Sequence, residues 1–135
     1  FFGSTPVVWE SAKQDAVSLS TMESEYYALT ESIKRSIWTK KIIKEFFSNF
    51  SEQPINVYED NEAVIKFSKG NATLHKRTMH IDRKGFFVRD NIQKNIVDVK
   101  SISSSDNIAD VFTKPLRRTA FEKHRAHLCA PNDKQ

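Results

Sequence analysis

Apolar and polar positions recur along this chain at two periods, and the switches between them predict its elements. Val7-Val8-Trp9-Glu10-Ser11 is rich in β-formers, and Ala16-Val17-Ser18-Leu19-Ser20 alternates at period two. The two runs predict an antiparallel pair turning around Ala12 to Asp15. Phe1-Phe2 reads as the end of a preceding strand and Gly3-Ser4-Thr5-Pro6 as a turn. The period then changes to that of a helix. Met22, Tyr26, Leu29, Ile33 and Ile37 form one stripe, which Ile42, Ile43, Phe46 and Phe47 extend. No Pro or Gly interrupts Thr21 to Phe50, so a long helix is predicted there. It opens at a capping box, Ser20 to Glu23, in which a hydroxyl and a carboxylate satisfy each other's backbone amides. Lys34, Arg35, Lys40, Lys41 and Lys44 crowd its second half, where the helix dipole favours cations.

Ile55 to Glu59 is predicted as a short buried strand, and Glu62 to Lys69 as a short helix stopped by Gly70-Asn71. His75 to Thr78 is a polar loop. His80 to Lys94 is predicted helical, with Ile81, Phe86 or Phe87, Val88 and Ile92 facing inward and Gly85 costing about 1 kcal/mol relative to Ala. Ile96 to Ile102 alternates cleanly and is predicted as a strand. Ser103 to Asp106 supplies a loop and N-cap for a short helix over Asn107 to Thr113. A last helix follows Pro115, from Thr119 to Leu128. Trp9 and Trp38 are expected in the core. Strands interleaved with helices in this order predict an α/β sheet with helices packed on it.

The chain has 135 residues, enough for one domain with a real core. Its composition is globular, with 39% hydrophobic residues and ten Phe, so disorder is confined to the ends. Lys plus Arg is 21 against 17 for Asp plus Glu, a formal charge of +4 that permits a polyanionic partner without requiring one. A lone Cys129 rules out an internal disulfide and a cysteine zinc cluster. No stretch has the apolar length of a membrane span, so no membrane partner is expected. A start at Phe1 without an initiator Met reads as a piece of something longer.

Three carboxylates stand in distinctive settings: Glu25 in the first turns of the long helix, Asp60 at the end of the Ile55 strand, and Asp110 in a late short helix. Each alone has an ordinary explanation, as a first-turn acid, a helix cap and a surface acid. Acids brought from three distant segments into one pocket would suit a hard divalent cation, which takes oxygen ligands. Lys76, Arg77, Arg83, Lys84 and Arg89 cluster around His80 and can track phosphates, or can simply form a solvated face. His124 and His127 lack the further ligands that a metal pair needs.

Several words of the chain, in order, resemble the ribonuclease H domain of copia-type retrotransposon polyproteins. They are Trp9-Glu10-Ser11-Ala12-Lys13-Gln14, Val17-Ser18-Leu19-Ser20-Thr21-Met22-Glu23-Ser24-Glu25-Tyr26-Tyr27-Ala28-Leu29, and Glu59-Asp60-Asn61-Glu62-Ala63-Val64-Ile65. Arg77-Thr78-Met79-His80-Ile81-Asp82 and Asn107-Ile108-Ala109-Asp110-Val111-Phe112-Thr113-Lys114-Pro115-Leu116 follow. The resemblance runs to about Leu128. It departs from the family pattern at Gly85-Phe86, where the family has Tyr-His, at Met79 in place of Lys, and at the acidic Glu62.

The resemblance implies a ribonuclease H-like mixed sheet with flanking helices over residues 1–128, lacking its opening strand, and a flexible tail at 129–135. It implies metal-dependent hydrolysis of RNA in RNA–DNA hybrids during reverse transcription. Glu25, Asp60 and Asp110 would be the catalytic and metal-ligating acids. Two Mg²⁺, or Mn²⁺, would lie about 3.5–4 Å apart and clamp attacking water and leaving oxygen. A fourth family acid belongs to the opening strand, so the trio alone is expected to bind metal weakly. Ser20, Thr21, Asn61, Lys76 and Arg77 are the candidate substrate contacts. The implied partners are the hybrid and the reverse transcriptase domain of the same polyprotein. The implied location is the cytoplasm, in virus-like particles, or the nucleus. The competing expectation is a catalytically inactive nucleic-acid-binding or scaffolding module, or a remnant.

Overall fold

A computed structural model of the chain describes residues 1, 5–12, 18, 20–50, 52–70 and 82–129, with the backbone alone for 82–84. The described residues fall into two compact units. The larger comprises those within Ala16–Ile102, the smaller those within Phe1–Asp15 and Ser103–Gln135.

The larger unit is a mixed α/β arrangement. Helix α1 runs over Thr21–Phe46, strand β1 over Ile55–Glu59, helix α2 over Glu62–Ser68, helix α3 over Asp82–Gln93 and strand β2 over Val97–Ser101. The two strands pair in parallel, with Ile55 opposite Val97 and Glu59 opposite Ser101. A parallel pair needs a crossover, which α2 and α3 provide. The core is built from Tyr26, Leu29 and Ile33 of α1, Val57 of β1, Val64 and Phe67 of α2, Val88 of α3, and Val97 and Val99 of β2. Met22, Ile37, Phe87 and Ile92 pack around it. Tyr26 meets the Phe67 ring edge-on at 4.8 Å, and the Arg89 guanidinium lies 4.7 Å from the same ring's centroid.

Local chemistry sets the ends of these elements. Ser20 caps α1, its Oγ accepting from the Glu23 amide at 3.1 Å. Helix α3 ends in a Schellman motif: Asn95 takes a left-handed φ of 55°, its amide donates to Ile92 O, and the Ile96 amide donates to Asn91 O. The turn delivers Ile96 to the core edge and starts β2 at once. Gly70, with φ 78°, takes the left-handed position after α2, its amide donating to Phe67 O at 3.1 Å.

Some expectations are corrected. Helix α1 stops at Phe46 rather than Phe50. Ser48 and Asn49, which compete for backbone bonds, follow it, and Lys40 and Lys44 bond Gln53 O and Glu52 on the returning chain. Phe46 and Phe47 are exposed. A 26-residue helix is about 39 Å long and five-residue strands span about 17 Å, so the second half of α1 overruns the sheet. Trp38 is 62% exposed, because it lies 100° around the helix from the packed Ile37. Trp9 is exposed too, and Val7–Ser11 forms no strand. Residues 13–17 and 19, the expected partners of that segment, lie outside the described residues, as do the loop at His75–Thr78 and Ile81. Of the two candidate phenylalanines, Phe87 packs on the core and Phe86 is exposed.

In the smaller unit a 3₁₀ turn over Ile108–Phe112 precedes helix α4, Arg118–Cys129. The cap of the turn is Asn107, whose Oδ1 accepts from the Ala109 amide at 3.1 Å, rather than a residue of Ser103–Asp106. Ser11 Oγ donates to Phe112 O, and Lys123 pairs with Asp106. His124 is buried.

Candidate functional site

Helical geometry places Glu25 at the rim of the core. It sits three residues after Met22, four before Leu29, and 100° around α1 from the fully buried Tyr26. The backbone thus anchors Glu25 firmly while its carboxylate, half-buried, reaches the edge of the packed face. Strand β1 delivers the second acid. Alternation turns Val57 and Glu59 inward and Tyr58 outward, and the strand ends one residue before Asp60. Asn61 then caps α2, its Oδ1 accepting from the Ala63 amide at 2.8 Å and the Val64 amide at 3.4 Å.

The two segments meet at Asn61. Its Nδ2 donates to Glu25 Oε2, and its backbone amide donates to Glu59 Oε1 at 3.1 Å. Glu59 is 9% exposed, and burial pushes its carboxyl up to about 7, with the neighbouring charges of Glu25 and Asp60 adding to the effect. Glu25, Glu59 and Asp60 therefore share one electrostatic neighbourhood at the C-terminal end of β1. Ligands of open parallel sheets bind at this end of the strands.

Two of the sequence-predicted acids, Glu25 and Asp60, thus lie near one another. The third belongs to the smaller unit. There Asp110 sits in the 3₁₀ turn, its side chain 13% exposed and paired with Lys114 at 2.7 Å. Ser20 and Thr21 are exposed at the start of α1, with Ser20 Oγ engaged in the cap. Lys76 and Arg77 lie outside the described residues. Glu59 is the site residue that the sequence reading passed over. Its signal was the strand alternation itself, which turns the side chain at 59 to the same face as Val57.

The donor chemistry suits a hard divalent cation, since Glu25, Glu59 and Asp60 bring carboxyl groups to this end of β1. Among the described residues of each unit, no three Asp, Glu, His or Cys side chains are grouped so as to hold a metal ion by themselves. No described helix is long and apolar enough to cross a membrane.

No protein-family profile matches the chain, and no solved structure matches it significantly. Known proteins do. The retrovirus-related Pol polyprotein from transposon TNT 1-94 of Nicotiana tabacum is 36% identical over 121 residues, covering 90% of this chain and 9% of the polyprotein. The Pol polyprotein from transposon RE1 of Arabidopsis thaliana is 31% identical over 128 residues, covering 95% of this chain and 9% of its own length. The truncated transposon Ty1-A Gag-Pol polyprotein of Saccharomyces cerevisiae is 29% identical over 115 residues, covering 84% of this chain and 9% of its own length. The chain spans about a tenth of each of these relatives. Its homologues are copia-type retrotransposon Pol polyproteins, matched across most of its own length.

Proposed function

We propose that this chain is the ribonuclease H segment of a copia-type retrotransposon polyprotein and hydrolyses the RNA strand of RNA–DNA hybrids. The observation that carries this reading is the meeting of Glu25 and Asp60 at the C-terminal end of a parallel strand, in a chain homologous to Pol polyproteins. Two acids 35 positions apart in sequence share a site built by one helix and one strand. The substrate class follows from the resemblance of the Glu25, Asp60 and Asp110 words to the ribonuclease H domain of copia-type polyproteins, and similarity to Pol polyproteins supports it.

In this reading Glu25 and Asp60 are the oxygen ligands that the larger unit provides. A divalent cation, Mg²⁺ or Mn²⁺, would supply Lewis-acid stabilisation of charge on the phosphodiester oxygens. The protein residues hold and orient. Tyr26 and Leu29, buried on the packed face of α1 next to Glu25, fix the backbone that carries the carboxylate. The inward face of β1 fixes the approach of Asp60. Glu59, held in the folded state as an acid that ionises late, limits the negative charge gathered beside the ligands. Ser20 and Thr21, exposed at the same end of α1, are the nearby groups able to meet a sugar–phosphate backbone.

The test is cleavage of a labelled RNA–DNA hybrid by the full chain, alone and within its polyprotein, with and without Mg²⁺. The reading expects metal-dependent cleavage that Glu25→Gln or Asp60→Asn lowers by at least two orders of magnitude. Salt-sensitive hybrid binding without cleavage in either context would replace it with the inactive binding-module reading. The pairing of Asp110 with Lys114 favours that second reading, because a carboxylate neutralised by lysine is a poorer cation ligand.

A further inference from the structure

The Asn61 side chain uses both ends of its amide, and each serves a different element. Oδ1 accepts from Ala63 N and Val64 N and so starts α2. Nδ2 donates to Glu25 Oε2 on α1, 36 residues away in sequence. The backbone amide of the same residue donates to Glu59 Oε1. One residue thus presents donors to two carboxyl groups from different elements, while a helix start fixes its own orientation.

The consequence is mechanical. A glutamate carboxylate hangs on three rotatable bonds, and ordering it costs conformational entropy. With no rigid donor beside it, Glu25 would sample rotamers pointing away from Asp60, because like charges favour separation. The Asn61 amide is rigid: its χ angles are set by the two α2 amides that Oδ1 accepts. It therefore pins one Glu25 oxygen toward the end of β1 and leaves the other, Oε1, for a ligand. Groups that hydrogen-bond a metal-ligating carboxylate from outside orient it in this way, and their removal typically lowers metal affinity 10–100-fold.

We propose that Asn61 is a positioning residue for Glu25, holding its carboxylate at the end of β1 for cation ligation rather than contacting the nucleic acid through its amide. The inference rests on the function proposed above, and it makes a separate commitment about where the Asn61 amide is spent. Helix start and metal site are coupled through a single side chain, so the N-terminus of α2 and the Glu25 rotamer are set together.

The test separates the clamp from the catalysis. In the metal-free full chain, nuclear magnetic resonance should show the Asn61 side-chain amide protons protected from exchange, and Glu25→Ala should return them to the rate of a solvent-exposed amide. Asn61→Ser keeps an oxygen at the cap and removes the Nδ2–H donor. We expect its melting temperature to stay close to that of the unsubstituted chain, while the Mn²⁺ concentration that half-saturates the chain rises about tenfold. In a Glu25→Gln background the same Asn61→Ser change should leave Mn²⁺ binding unmoved, because the partner it orients has lost its charge. Asn61 amide exchange that Glu25→Ala does not affect overturns the proposal, whatever the chain cleaves. Equal Mn²⁺ affinity for Asn61→Ser and the unsubstituted chain overturns it too. A confirmed clamp with tenfold weaker Mn²⁺ binding, in a chain that cleaves no hybrid, upholds this inference and refutes the hydrolytic reading instead.

Discussion

Glu59 makes folding stability depend on pH in a direction opposite to that of most carboxylates. Its pKa rises from 4.5 to about 7 on folding, chiefly because β1 buries it, with Glu25 and Asp60 adding repulsion. An acid whose folded pKa is raised favours the native state while it is protonated. That contribution is complete below the unfolded value of 4.5 and is lost as pH climbs through about 7. At 1.36 kcal/mol per pKa unit the full shift corresponds to about 3 kcal/mol. Solvent and salt screen part of this, and taking half gives about 1.5–2 kcal/mol. Glu59→Gln keeps the shape and an oxygen to accept from the Asn61 amide, and it cannot ionise. Urea unfolding of both chains, followed by far-ultraviolet circular dichroism at about pH 5 and about pH 8, measures the difference. With slopes of about 1–3 kcal/mol per molar urea, the unsubstituted chain should lose roughly 1 M of midpoint, relative to Glu59→Gln, between the two pH values. Parallel curves for the two chains across this window would refute the burial argument, and so would a greater loss by Glu59→Gln.

Other outcomes follow from particular packing. Tyr26 OH is buried, has no hydrogen-bond partner among the described residues, and has its pKa pushed up to about 12 by burial, so Tyr26→Phe should be neutral or stabilising by up to about 1–3 kcal/mol in the same unfolding assay. Ile33, fully buried, should cost about 2–5 kcal/mol on replacement by Ala, read as a lowered urea midpoint at unchanged slope. Asn95 holds a left-handed φ of 55°, so Asn95→Val should lower stability by roughly 1–2 kcal/mol and Asn95→Gly should not, as differential melting would show.

The sequence made β1, β2 and the starts of α1 and α2 legible because short-range chemistry decides them, whereas the strand read at Val7–Ser11 does not form. The Ile55–Glu59 strand keeps the bounds read for it, but it is half-exposed rather than buried, with Asn56 and Tyr58 facing outward. The Ser20 cap was visible as a hydroxyl three residues before Glu23. Stopping points were harder. Phe46 and Phe47 continue the apolar stripe of α1 in sequence, yet the sheet that would cover them is too short to reach them. Trp9 and Trp38 look like core residues by type, and exposure is decided by which arc the fold covers. At the site, Glu25 and Asp60 stood out by their local settings, and their proximity came from packing α1 on β1. Glu59 was overlooked because an acid at a strand end reads as solvated, whereas alternation turns it toward Val57. The Asn61–Glu25 bond joins residues too far apart in sequence for any local pattern to show it.

The central claim is that Glu25 and Asp60, acids from separate segments of the larger unit, act on one cation. A Mn²⁺ titration of the full chain, with the side-chain carboxyl carbons of Glu25 and Asp60 labelled for nuclear magnetic resonance, tests it directly. The account requires both signals to broaden together at the same Mn²⁺ concentration, and to recover together on adding a chelator. Broadening of Glu25 without Asp60, or of the two at widely separate concentrations, would contradict it.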